Sequence, residues 1–246
     1  MQVLSFEHNA ALALSDPRIA KIVARIIHCL REVPVPYWPG KSEKQANKSI
    51  LQPMLNAFIE QEFLAIGAGK ELRITGDVDD SGGMRLDFFW EVDGKLVAVE
   101  VQFGNVGRVY SDFIKFQHLY TDGEPGRLAL GISISLTNNT AQLTDSGIST
   151  HENSIRRIND FRNSIFRANP LPLLCLGLNH ENSTLIDLSS SKYPGARIFE
   201  GAGAKALMHQ TVAQLRSGMP VEEVGCSTMV QTSLKSFSHL SQNALF

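Results

Sequence analysis

Two alternating runs, Arg85–Val92 (RLDFFWEV) and Lys95–Phe103 (KLVAVEVQF), are separated only by Asp93-Gly94. A two-residue Asp-Gly link between alternating runs specifies a β-hairpin, because the tight turn it suits needs positive φ at both central residues. If those two residues are the turn, Val92 pairs with Lys95 and the register of the whole hairpin follows. Asp87 then stands across from Glu100, and Arg85 across from Gln102, with Cβ atoms about 4.5–5.5 Å apart. Alternation sorts the faces. Leu86, Phe88, Trp90 and Val92 point one way with Val97, Val99, Val101 and Phe103, an entirely apolar layer. Arg85, Asp87, Phe89, Ala98, Glu100 and Gln102 point the other way.

Like charges directly opposite on adjacent strands repel, and burial makes the repulsion worse. A divalent cation relieves it: two carboxylates supply hard oxygen ligands, with water and a substrate phosphate completing the shell. Such an ion polarises a phosphoryl oxygen and makes a water acidic enough to attack phosphorus. The plainer alternative is that one carboxylate is exposed or pairs with Arg85. The hairpin alone leaves both readings open.

The rest of the chain reads as a single α/β domain spanning residues 1–246, without internal repeat or low-complexity linker. Residues 16–31 place Ile19, Ile22, Val23, Ile26, Ile27 and Leu30 at helical spacing, with Asp16 as cap and Pro17 in the first turn. The proline-rich Val33–Gly40 is a loop. Lys44–Leu64 is a second amphipathic helix, kinked or divided at Pro53. Leu72–Ile74 is a short strand and Asp77–Gly83 a turn-rich loop. A helix is expected over Val109–Tyr120, a buried strand over Arg127–Ser135 and a polar loop over Thr137–Thr150. A helix at Glu152–Arg167, a buried strand at Leu171–Leu178 and a further helix at Ala204–Arg216 follow, then a Ser-rich tail.

Composition narrows the class. Hydrophobic residues make up 43% and charged residues 20% of 246, as in ordinary globular proteins. No apolar run reaches the roughly 18–20 residues of a membrane span, and the N-terminus lacks the pattern of a secretory leader, so a cytoplasmic protein with no membrane partner is expected. Cys29, Cys175 and Cys226 have no metal-ligand spacing and read as small buried hydrophobes in a reducing compartment. A net charge of −2 argues mildly against nucleic-acid binding. Local clusters (Lys41, Lys44 and Lys48; Arg156, Arg157, Arg162 and Arg167) fit either phosphate contact or a solvated helix face. His118, His151, His180, His209 and His239 show no zinc-binding spacing. The Gly-rich run after Glu200 lacks the ending of a phosphate loop and reads as a turn. There is no nucleophile-elbow motif.

The order acidic residue, hairpin, Val-Glu-Val-Gln (Val99–Gln102) resembles the PD-(D/E)xK nuclease core, whose second strand ends Glu-x-Lys or, in some branches, Glu-x-Gln. The string VEVQFGN (Val99–Asn105) is similar in particular to the VEVQFSN stretch of type II restriction endonucleases of the BglII/BstYI type. The likeness extends through GISISLTNN (Gly131–Asn139) to a strand ending Leu-Gly-Leu (Leu176–Leu178), so that it covers about residues 40–180. It implies an α/β PD-(D/E)xK restriction-endonuclease-like fold, a central mixed β-sheet flanked by helices; the uncovered residues 180–246 are expected to be accessory, for recognition or dimerisation. It also implies a homodimer that hydrolyses double-stranded DNA at a short, GATC-centred palindrome with Mg²⁺, for which Mn²⁺ can substitute. Asp87, Glu100 and the Val101 carbonyl would then hold the metal. Gln102 would orient the attacking water, where a charged Lys stands in most of the superfamily; a neutral amide cannot be a general base. Two departures stand out: Gly104 replaces a Ser, and the segment from Asp87 to Glu100 is longer than in these relatives.

For DNA contact, Asn138, Asn139, Gln142, Asp145 and Ser146 in the Thr137–Thr150 loop offer the mixed donors and acceptors that base edges require. Asn105 follows the catalytic strand closely enough to reach the same groove, and Arg108 and Lys115 are phosphate-contact candidates. The alternatives are another PD-(D/E)xK nuclease, acting in repair or on modified DNA, and a DNA-binding relative without catalysis or a scaffold.

Overall fold

A computed structural model describes residues 1–41, 47–74, 83–105, 107–121, 127–144, 147–162, 170–201 and 203–225. The chain forms two compact units, Met1–Val35 with Ile59–Thr184, and Pro36–Phe58 with the described part of Leu185–Phe246.

The first unit is built on a six-stranded mixed sheet. Its strands are β1 (Gln2–His8), β3 (Gly69–Lys70), β4 (Phe88–Val92), β5 (Lys95–Val101), β6 (Leu128–Leu136) and β7 (Leu173–Asn179), ordered β1-β7-β6-β5-β4-β3. The β5–β6 and β6–β7 pairs are parallel; β1–β7, β4–β5 and β3–β4 are antiparallel. The hairpin turn is the expected one, with Asp93 at φ 52° and Gly94 at φ 74°. From Val92↔Lys95 to Phe88↔Val99 the register is the one that Asp-Gly specifies.

Five helices of this unit are α1 (Ala11–Leu14), α2 (Pro17–Glu32), α4 (Arg108–Thr121), α5 (Asn138–Ala141) and α6 (His151–Arg162). Asp16 caps α2, accepting from the Arg18 N–H at 2.8 Å, with Pro17 in the first turn. The helix α3 (Gln52–Ala65) begins later than its sequence suggests. Pro53 is therefore in its first turn, where the missing N–H costs nothing, and no kink is needed.

One departure matters for the site. A hairpin with one apolar face leaves its other face to solvent, yet β5 is buried on both faces from Leu96 to Glu100. Helix α4 covers this second face. Leu86, Leu96, Ala98, Val109, Phe113, Phe116, Leu119, Ile158 and Leu173 form one apolar cluster there. Leu86 joins this cluster and not the opposite layer with Phe88 and Trp90, where Phe63 packs edge-on against both rings at 5.2 and 5.7 Å. The alternation thus breaks just before β4, where the backbone pairs irregularly with residues 71–74: the Leu86 N–H donates to the Leu72 carbonyl, and Arg73 bridges Arg85. Strand β3 itself lies earlier than the expected Leu72–Ile74.

In the second unit, β2 (Val35–Tyr37) pairs with β8 (Leu185–Asp187), and α7 (Ala204–Arg216) follows. Trp38 and Tyr193 pack on Phe199. Cys29 and Cys175 are buried and in no disulfide, as expected of small hydrophobes; Cys226 lies outside the described residues. Among the described residues no helix is long and apolar enough to cross a membrane.

Candidate active site

The end of β5 brings three carboxylates together. Asp87, in the bend before β4, accepts a hydrogen bond at 2.9 Å from the Val101 N–H, so its carboxylate caps the strand that carries Glu100. Glu100 is 2% exposed. The third carboxylate is Asp112 on α4, also 2% exposed. Among the described residues no ion pair joins Arg85 to Asp87, and Arg85 points to solvent.

Lys115, one helical turn beyond Asp112, reaches into this cluster. Its Nζ donates to Glu100 Oε2 at 2.6 Å and lies 3.7 Å from Asp112 Oδ1. Gln102 is held at both ends: Nε2 donates to Asp112 Oδ2 at 3.0 Å, and Oε1 accepts from the Gly104 N–H at 2.9 Å. Asp112 is therefore the hinge of the arrangement, one oxygen toward Lys115 and the other toward Gln102.

The electrostatics follow from burial. Glu100 is pushed up to about 9, first by its removal from water and then by the charges of Asp87 and Asp112. Burial likewise raises Asp87 and Asp112. Lys115 is raised by its acidic neighbours, Glu100 foremost, against the opposing effect of its own burial. Three carboxylates and one ammonium leave the cluster short of positive charge, and among the described residues no N–H or hydroxyl group donates to the buried Glu100 Oε1. An acid-rich cluster with an unsatisfied buried carboxylate oxygen is the environment a hard divalent ion suits. Among the described residues, however, no three acidic, histidine or cysteine side chains are already arranged around a single ion position. The Lys115 ammonium lies beside Glu100 and Asp112.

Placing two charged residues in the buried stripe of a helix has a cost that its neighbours offset. Val109, Phe113, Phe116 and Leu119 on the same stripe are all 4% exposed or less. Each contributes roughly 1.5–3 kcal/mol on burial.

The expected DNA-contact residues divide. Asn105 and Arg108 are exposed, flanking the start of α4. Asn138 and Asn139 are exposed on α5, a helical turn capped by Thr137 inside the expected loop; the Asn139 side chain donates to Glu181. Asp145 and Ser146 lie outside the described residues. Lys115, expected at a phosphate, sits instead among the carboxylates. Segment 104–105 runs beside 148–149: the Ser149 N–H donates to the Gly104 carbonyl at 3.0 Å, and Asn105 bridges Ile148.

Sequence reasoning missed Asp112. The signal was available: Asp112 and Lys115 fall between Val109, Phe113, Phe116 and Leu119, where an amphipathic helix should be apolar. A charged pair in an apolar stripe marks a site or a buried ion pair.

Comparison with known proteins identifies the family and the fold. The sequence matches the restriction endonuclease BglII/BglIII family over residues 2–178. No curated protein matches the chain. Among solved structures, the crystal structure of restriction endonuclease BglII complexed with a DNA 16-mer is 18% identical, with a TM-score of 0.61, over 80% of this chain and 87% of that one. Free BglII is 17% identical, with a TM-score of 0.50, over 73% and 80%. These structures share the fold, a mixed sheet flanked by helices, and the family match extends from β1 nearly to the end of β7. The chain belongs to the restriction endonuclease BglII/BglIII family and is a type II restriction endonuclease, an enzyme of site-specific DNA cleavage.

Proposed function

We propose that this enzyme hydrolyses phosphodiester bonds in double-stranded DNA at a short palindrome, with Asp87 and Glu100 as the metal-binding carboxylates. The observation that carries the reading is the buried acidic cluster at the end of β5, short of positive charge and, among the described residues, with no N–H or hydroxyl group donating to Glu100 Oε1. Asp87, Glu100 and the Val101 carbonyl would hold Mg²⁺, or Mn²⁺ in its place. The ion would supply Lewis acidity, polarising a phosphoryl oxygen and making a water acidic enough to attack phosphorus.

The protein's own residues prepare this chemistry. Asp87 is fixed by the Val101 N–H, so that its carboxylate stays against the strand carrying Glu100. Gln102 cannot take a proton; with Asp112 and Gly104 gripping its amide, its remaining N–H and lone pair can only orient a water. Asn105, Arg108, Asn138 and Asn139 are exposed and available to DNA, while Asp145 and Ser146 belong to the same polar segment. Two active sites are needed to cut both strands of a palindrome, which a homodimer supplies. A GATC-centred site follows from the family likeness alone.

Incubation of phage DNA with the enzyme and Mg²⁺ tests this. Discrete fragments whose sequenced ends share one palindrome are expected. A smear, or DNA left intact at every divalent ion tried, would overturn the reading.

A further inference from the structure

We propose that Lys115 is a built-in stand-in for the divalent ion: its ammonium occupies the carboxylate cluster while no metal is bound, and it must leave for a metal to enter. The proposal rests on the reading that Asp87 and Glu100 take a divalent cation.

Three observations lead to it. The ammonium is in contact with Glu100 Oε2 at 2.6 Å and near Asp112 Oδ1 at 3.7 Å, on a side chain only 14% exposed. It therefore engages the carboxylate that the metal needs. Second, among the described residues β5 presents no cation to Glu100. Position 102 is a neutral amide committed to Asp112 and Gly104, so among the described residues the ammonium in contact with Glu100 comes from α4. The other lysine near Asp87 is Lys70, which is paired with Glu60 and Glu71. Third, the acidic side chains do not yet converge on one ion position, although three of them share the pocket.

A tethered cation competes at high effective concentration, because it is delivered by the same fold that makes the site. It also keeps the carboxylates from repelling one another in the metal-free protein. The ion must then outbid a charge-assisted hydrogen bond before it is held, so this chain's affinity for metal is set partly by its own side chain.

The test is metal binding without DNA, free of any dependence on cleavage. Mn²⁺ affinity is measured by electron paramagnetic resonance at about pH 9, where protons compete least, for the parent, Lys115→Met and Lys115→Arg. Lys115→Met should bind roughly 10- to 100-fold more tightly, the range that loss of a charge-assisted hydrogen bond spans. Lys115→Arg keeps the cation and should stay near the parent. Equal or weaker binding by Lys115→Met overturns the proposal while leaving the metal site standing; no Mn²⁺ binding by any of the three overturns both. The parent protein gives an independent reading if Lys115→Met does not fold. The ¹⁵N resonance of the Lys115 ammonium should be slowed in exchange without metal and should shift when Mg²⁺ saturates the site. A resonance unchanged by Mg²⁺ that binds overturns the proposal.

Discussion

Replacing Glu100 by Gln keeps the side chain's size and removes only its ability to ionise. In the parent, Glu100 titrates from an ordinary value of 4.5 up to about 9 in the fold. The folded protein thus holds a proton that the unfolded chain has lost throughout that window. Stability is fully present below about pH 4.5 and falls as pH rises toward 9. Asp87 and Asp112, also raised, act in the same direction, whereas Lys115 titrates above the window. Glu100→Gln escapes the loss that Glu100 causes. Each pH unit is worth about 1.4 kcal/mol, so between about pH 5 and pH 8 the variant gains at most about 4 kcal/mol on the parent. For a protein of this size that is at most roughly 8–16 °C in Tm. The assay is thermal unfolding in chelator at several pH values from 5 to 8, with saturating Mn²⁺ as the contrasting condition. A difference in Tm that does not widen with pH, or a variant less stable than the parent at pH 8, would refute the reasoning about the buried carboxylates.

Asp87→Ala is expected to reduce cleavage to background while far-UV circular dichroism and metal-free DNA binding persist; full activity would remove Asp87 from the metal site. Gly104→Ser places a Cβ 3.0 Å from Gln102 Oε1 and 3.4 Å from Arg108 Cδ. Arg108 can move aside but the Gln102 amide is fixed, so cleavage should fall by up to about tenfold, short of the roughly 100-fold that a full 1 Å misplacement costs. A rate unchanged by Gly104→Ser would show that Gln102 need not be held so closely. Gln102→Lys should fold and retain measurable cleavage, because an ammonium there can still meet Asp112; a folded but inert variant would show that the amide itself is required.

Much of this geometry was legible because short-range rules decide it. Asp-Gly fixed the hairpin register from Val92↔Lys95 to Phe88↔Val99, which leaves Asp87 beside the strand end that carries Glu100. Asp16 and Pro17 marked the start of α2. What escaped depended on long-range packing. Strand β1 pairs along the edge of the sheet with mostly exposed or half-buried side chains, so QVLSFEH shows no clear alternation. The placement of Leu86 against α4 depends on an irregular pairing with residues 71–74, which no local pattern announces. Lys115 looked like a surface cation because a lysine on an amphipathic helix usually is one. Only the fold shows that its neighbours at 112 and 116 point inward, carrying it toward Glu100.

The hydrogen bond from Ser149 to the Gly104 carbonyl has a mechanical consequence. The same glycine holds the Gln102 amide through its N–H, so the segment leaving the polar loop and the Gln102 side chain are joined through a single residue. A loop that seats badly on the wrong bases would tug that residue and tilt the amide. Sequence discrimination would then be expressed as a misaligned reaction, and not solely as weaker attachment to DNA.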